Sequence, residues 1–120
     1  MKTILIVDDE KDLVETLRLR LESAGDFRVS VAYNGEEALA TVEQSIPDLI
    51  ILDVMMPKMD GLTALKAINT KLNQKVPVIV LTGKTKFLKE AFELEGAHAF
   101  LSKPVNGVEI VNKVNQLLVS

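Results

Sequence analysis

Short apolar runs of strand length recur along the chain at Ile4–Val7, Val29–Ala32, Leu49–Leu52, Val78–Leu81 and Ala99–Leu101. Between them the apolar positions take up the three-and-four spacing of a helix face. Leu13, Val14, Leu17 and Leu21 form the first such face, Ala38, Leu39 and Val42 the second, and Leu62, Leu65 and Ile68 the third. Leu88, Ala91 and Phe92 form a shorter fourth, and Ile110, Val111, Val114, Leu117 and Leu118 the last. Asn34 or Gly35 is placed to open the second helix and Asp60-Gly61 the third, while Gly25 and Gly96 are placed to close the first and fourth. The pattern predicts five strand–helix units, with no internal repeat, low-complexity tract or linker.

Strict alternation of this kind implies a parallel sheet with helices on both faces and right-handed crossovers. Strands one, three and four are unbroken apolar runs, as a strand covered on both faces requires. The second, RVSVAY, alternates, and the fifth, HAFLS, is short and partly polar, so both suit sheet edges. Those constraints give strand order 2-1-3-4-5, the flavodoxin-like arrangement: an α/β (βα)5 three-layer sandwich around a parallel five-stranded sheet. Ligands in such sheets bind beyond the carboxyl ends of the strands, where the order reverses between strands one and three.

Residues 49–61, LIILDVMMPKMDG, place the carboxylate of Asp53 at the end of a strand expected to be buried on both faces. A charge there is costly unless something meets it. Asp8 and Asp9 follow the neighbouring first strand, so three carboxylates should converge in the crevice. Like charges so close raise one another's pKa values unless a cation intervenes. An oxygen-only set suits a hard divalent ion, Mg²⁺ above all where phosphate is handled, with Mn²⁺ as a permitted substitute. Thr82 after the fourth strand and Lys103 after the fifth add a hydroxyl and an ammonium at the same rim. Metal, hydroxyl and ammonium together can neutralise a phosphoryl group in transfer, and a carboxylate can attack it to give an aspartyl phosphate.

Composition narrows the alternatives. A chain of 120 residues accommodates one domain, expected to span 1–120, and 4% aromatic content points to an aliphatic core. The absence of cysteine removes disulfides and thiolate-bound zinc, and the single histidine, His98, makes neither a triad nor a typical zinc site. His98 is expected on the surface at the start of an edge strand. A net charge of −3 gives no general pull towards nucleic acid or an anionic membrane, so neither is an expected partner. Acids end the first apolar run at once, so MKTILIVDDE is neither a signal peptide nor a membrane span, and the expected location is cytoplasmic. Gly83-Lys84-Thr85 imitates the end of a P-loop, but Val78 stands where the motif needs a glycine. Met55, Met56 and Met59 are expected to pack the loop that carries Asp53.

Singly, each residue has an ordinary use: an acidic pair as a helix start, Thr82 as a strand-end hydroxyl, Lys103 as loop surface, Phe100 as core. Together, Asp8-Asp9, Asp53, Thr82, Lys103-Pro104 and MPKMDG at 56–61 make the whole chain resemble the receiver domain of two-component response regulators. That resemblance implies that Asp53 accepts a phosphoryl group from a sensor histidine kinase or a histidine phosphotransfer protein. It implies Mg²⁺ ligation by Asp9 and Asp53, by Asp8 directly or through water, and by the backbone carbonyl of Met55. Lys103 and Thr82 would contact the phosphoryl oxygens, Phe100 would follow Thr82 as the aromatic switch, and the Lys103–Pro104 bond would be cis. Output would leave through the α4-β5-α5 face to an unidentified downstream effector, with a phosphorylation-dependent dimer left open. Such a domain is not an enzyme, although it assists its own phosphorylation and dephosphorylation.

Departures from the family pattern carry their own expectations. Gly83 stands where alanine is common, and the stretch from Thr82 to the fourth helix is about two residues shorter than the family's common length, so that helix should be short or displaced. Met55 and Lys84, two residues beyond Asp53 and Thr82, offer no carboxylate or amide to orient an attacking water, so the phosphorylated form should hydrolyse slowly unless a phosphatase assists. The chain ends soon after its fifth helix, which suits a stand-alone regulator or a receiver cut from a longer protein. Two rivals are a phosphorylation-independent adaptor, against which the complete acid set argues, and an aspartate-nucleophile phosphohydrolase. The latter typically has a second Asp where Met55 stands, and a substrate cap for which 120 residues leave little room.

Overall fold

Strands and helices alternate from end to end in the computed structural model, which describes residues 1–56, 59–83 and 89–118. In chain order they are β1 (Lys2–Val7), α1 (Lys11–Ala24), β2 (Phe27–Ala32), α2 (Gly35–Gln44), β3 (Leu49–Asp53) and α3 (Gly61–Leu72). There follow β4 (Val78–Thr82), α4 (Lys89–Leu94), β5 (Ala97–Ser102) and α5 (Gly107–Leu118). All strand pairs are parallel, in the order β2-β1-β3-β4-β5, so the molecule is the expected flavodoxin-like sandwich.

Each strand contains its apolar run and extends beyond it. Lys2 and Thr3 begin β1, Asp53 ends β3, Thr82 ends β4, and Ala97, His98 and Ser102 belong to β5. Ladder hydrogen bonds hold any residue type, whereas an apolar run marks only the part covered on both sides. Side chains alternate across the sheet. Ile4 and Ile6 of β1 and Leu49 and Ile51 of β3 pack with Val14, Leu17 and Leu21 of α1 and Ile110 and Val114 of α5. Leu5, Val7, Ile50 and Leu52 face the other way, against α2, α3 and Phe92 of α4. At the edges, β2 is largely half-exposed and β5 alternates between buried and exposed positions, with His98 exposed.

Local chemistry sets the helix starts. Asn34 Oδ1 accepts from Glu37 N at 2.9 Å, and Glu37 Oε1 accepts from Tyr33 N at 2.8 Å, a reciprocal pair that fills free donors at the start of α2. Asp60 Oδ1 does the same for Thr63 N at 2.9 Å in α3. Gly61 follows because the first turn of α3 lies hard against the end of β3: a Cβ there would come within 2.4 Å of the Asp53 carbonyl oxygen. Gly96, after α4, has φ +102°, a conformation side chains disfavour. The expected helical position of Leu88 lies outside the described residues; the six residues of α4 carry the buried Phe92.

Candidate functional site

The carboxyl ends of β1, β3, β4 and β5 meet within one rung of the sheet. Val7 lies opposite Leu52 in the parallel register, which sets Asp8 beside Asp53, and Asp53 in turn lies opposite Leu81. Asp8 N continues the ladder by donating to Ala32 O at 3.1 Å. Thr82 ends β4 opposite Ser102, and Lys103 N donates to Thr82 O at 2.7 Å. Asp8, Asp53 and Thr82 are buried, while Asp9 is exposed.

Two short loops aim the carboxylates. Asp8 Oδ1 accepts from Glu10 N at 3.0 Å and Asp53 Oδ1 accepts from Met55 N at 3.3 Å, each an Asx-type turn that fixes one oxygen. The other oxygens face Lys103, whose Nζ stands 3.1 Å from Asp8 Oδ2 and 3.4 Å from Asp53 Oδ2. Its nearest partner is a residue the sequence did not single out, Glu10, whose Oε1 accepts from the ammonium at 2.6 Å. The charge at the end of β3 is therefore met by an ammonium delivered from β5.

One ammonium does not balance the group. Burial, and then the charge of Asp8, pushes the Asp53 carboxyl up from 3.8 to about 6, against the lowering effect of Lys103. Burial also raises Asp8 above the ordinary carboxylate range, opposed by the Glu10 amide and by Lys103. Burial works to lower Lys103, but its contacts with Glu10 and Asp8 and the nearby Asp53 charge outweigh that, and it is held above the usual lysine value.

This residual acidity fits a cation. One carboxylate oxygen from each of Asp8, Asp9 and Asp53 lies within 4.8 Å of the others. Asp8 Oδ2 is buried and is met among the described residues only by the Lys103 ammonium at 3.1 Å, without hydrogen-bond geometry, so acceptor capacity remains after Lys103 is in place. An all-oxygen set of this kind matches Mg²⁺ rather than a softer metal.

The remaining sequence-predicted residues fall at different distances from this centre. Phe100 lies on β5 opposite Val80, half-buried against the α3/α4-side core, with Lys89 Nζ 5.2 Å from its ring centroid. The Lys103–Pro104 peptide is cis. Met56 packs against the core and Met59 lies against Gly35 at the start of α2, but Met55 does not pack its loop: it is 61% exposed. Its backbone is tied to Asp53, which turns its side chain to solvent beside the site. Lys84 lies outside the described residues.

Comparison with known proteins gives one consistent result. A family model described as "Response regulator receiver domain" matches residues 4–115. The transcriptional regulatory protein CpxR of Escherichia coli (strain K12) is 43% identical over 119 residues, 98% of this chain and 50% of that protein. The alkaline phosphatase synthesis transcriptional regulatory protein PhoP of Bacillus subtilis (strain 168) is 40% identical over 120 residues, 98% of this chain and 48% of that one. This chain thus spans about half the length of these curated relatives. Among solved structures, the chemotaxis protein CheY4 of Vibrio cholerae superposes with a TM-score of 0.88 at 30% identity, covering 98% of this chain and 99% of that chain.

Proposed function

This chain belongs to the response regulator receiver domain family, and from that premise we propose that residues 1–120 act as a phosphorylation-dependent switch with Asp53 as the phosphoacceptor. The observation that carries the reading is the convergence of Asp8, Asp9 and Asp53 around one point with the Lys103 ammonium among them. The donor is the phosphohistidine of a sensor histidine kinase or of a histidine phosphotransfer protein. An Asp53 oxygen forms the bond to phosphorus as the bond to the donor imidazole nitrogen breaks. Asp8, Asp9, Asp53 and the Met55 carbonyl would hold Mg²⁺, which when bound supplies neutralising charge for the phosphoryl oxygens. Lys103 turns its ammonium to the same oxygens, and the Asp53-bound group now carries about −2 charge in place of −1. The Thr82 hydroxyl gains a phosphoryl oxygen to donate to, Phe100 follows it, and the α4-β5-α5 face is biased towards a form that engages a downstream effector or a second copy. Among the described residues no helix is long and apolar enough to cross a membrane, which is compatible with a cytoplasmic setting for this exchange.

Intact-mass measurement after exposure to acetyl phosphate tests the assignment. One phosphoryl adduct should form with Mg²⁺, none after chelation, and none in Asp53→Asn with Mg²⁺ present. An adduct that survives in Asp53→Asn refutes the site, and a wild type that neither labels nor binds Mg²⁺ supports the adaptor. The exposed Met55 supports slow hydrolysis as well, since a thioether there gives water no hydrogen-bond partner. Met55→Asn should shorten the phosphoryl half-life several-fold when decay is followed by mass; an unchanged half-life removes Met55 from that role.

A further inference from the structure

We infer that Glu10 is a positioning residue: it ties up part of the Lys103 ammonium's hydrogen-bonding capacity until Asp53 is phosphorylated, and so limits how readily the switch turns on. The inference rests on the receiver reading and deepens it. Three carboxylates surround Lys103 Nζ, and Glu10 is nearest at 2.6 Å, ahead of Asp8 at 3.1 Å and Asp53 at 3.4 Å. An ammonium has three N–H donors to distribute. In the proposed reaction the Asp8 and Asp53 contacts are replaced naturally, because both carboxylates would hold the metal and Asp53 becomes an acyl phosphate.

Glu10 gains nothing in that exchange. Its carboxylate is outside the group of oxygens that converge on the metal position. Apart from Lys103, its side chain makes no hydrogen bond or ion pair among the described residues. It stands just before α1, 93 positions from Lys103 in the chain, mostly exposed and free to swing, whereas Asp8 and Asp53 are fixed by their turns. When the ammonium turns inward to a phosphoryl oxygen, the bond to Glu10 is the one that must simply be lost. Exposed pairs of this kind are weak, so the restraint amounts to roughly a two- to fivefold effect rather than a block.

Reach and charge separate in the test. Glu10→Asp keeps the charge but withdraws the carboxylate by one C–C bond, about 1.5 Å, beyond hydrogen-bond distance of Lys103. Acetyl phosphate labelling with saturating Mg²⁺ should be roughly two- to fivefold faster in Glu10→Asp, and affinity for fluoroberyllate should rise by a similar factor. Mg²⁺ affinity should stay at the wild-type value. In a Lys103→Met background Glu10→Asp should leave fluoroberyllate affinity unchanged, which a merely structural effect of the substitution would not do. If Glu10→Asp matches the wild type while Glu10→Gln is faster, charge alone acts and the inference is overturned. Slower labelling of Glu10→Asp, or a gain that persists without Lys103, overturns it equally. A wild type that fails to label at all would instead remove the receiver reading beneath it.

Discussion

Asp53 keeps only 4% of its surface exposed, yet the proposed phosphoacceptor role requires it as an anion, and that tension sets the behaviour of the metal-free protein. Its carboxyl is raised from 3.8 to about 6 in the fold, so between those values the native state binds a proton more tightly than the unfolded chain does. Stability is therefore greatest at the acid end of that window and is lost as pH rises through 6. A shift of this size corresponds to roughly 2–3 kcal/mol at most, with Asp8 shifted in the same direction. In chelator, the protein should resist urea better at pH 5 than at pH 7. Asp53→Asn should stabilise it at pH 7 and flatten the difference. Mg²⁺ should recover stability in the wild type at pH 7 by binding only the native site. A urea midpoint that rises between pH 5 and pH 7 in chelator would contradict the electrostatic account.

Helix starts divide into those that only stabilise and one that also shapes the site. Asn34 fills free amide donors of α2 through a side chain that bonds Glu37 and not the carboxylate cluster, and Asn34→Ala should cost about 1 kcal/mol in urea unfolding. Labelling by acetyl phosphate should be unaffected. Gly61 begins α3 against the backbone of β3, and a methyl there must push on the Asp53 carbonyl and the Val54 Cα. Gly61→Ala should cost roughly 1–3 kcal/mol and also slow labelling, because the displaced backbone carries Asp53, the proposed acceptor. Equal labelling rates in the two variants would show that the β3–α3 contact does not position Asp53. Both start signals were legible in Asn34 and Asp60-Gly61 because capping is a local hydrogen-bond preference. The reason Gly61 must be glycine was not, since the clash is with a strand end eight residues upstream that the intervening loop folds back towards it.

Across the whole molecule one sheet carries two cores, and successive residues of β1 serve opposite ones. Leu5→Ala and Ile6→Ala should each cost about 2–5 kcal/mol, although they empty space on different faces. Because both faces share the same strands, urea unfolding followed by far-ultraviolet circular dichroism and by fluorescence of Tyr33, the single tyrosine, should give coincident transitions in both variants. Separate transitions would mean that the two layers fold independently. At this scale the amino-acid sequence alone determined the alternation of elements, the strands covered on both faces, the edge strands and hence the rim where Asp8, Asp9, Asp53, Thr82 and Lys103 gather. Those features follow from burial periodicity and short-range propensity, which each segment carries within itself. Only the tertiary structure decided that the counter-charge of Asp53 is Lys103, that Glu10 contacts the same ammonium, and that Met55 faces solvent while Met56 and Met59 pack. Such pairings depend on where a side chain reaches once crossovers have brought distant strands together, and no periodicity along the chain encodes that distance.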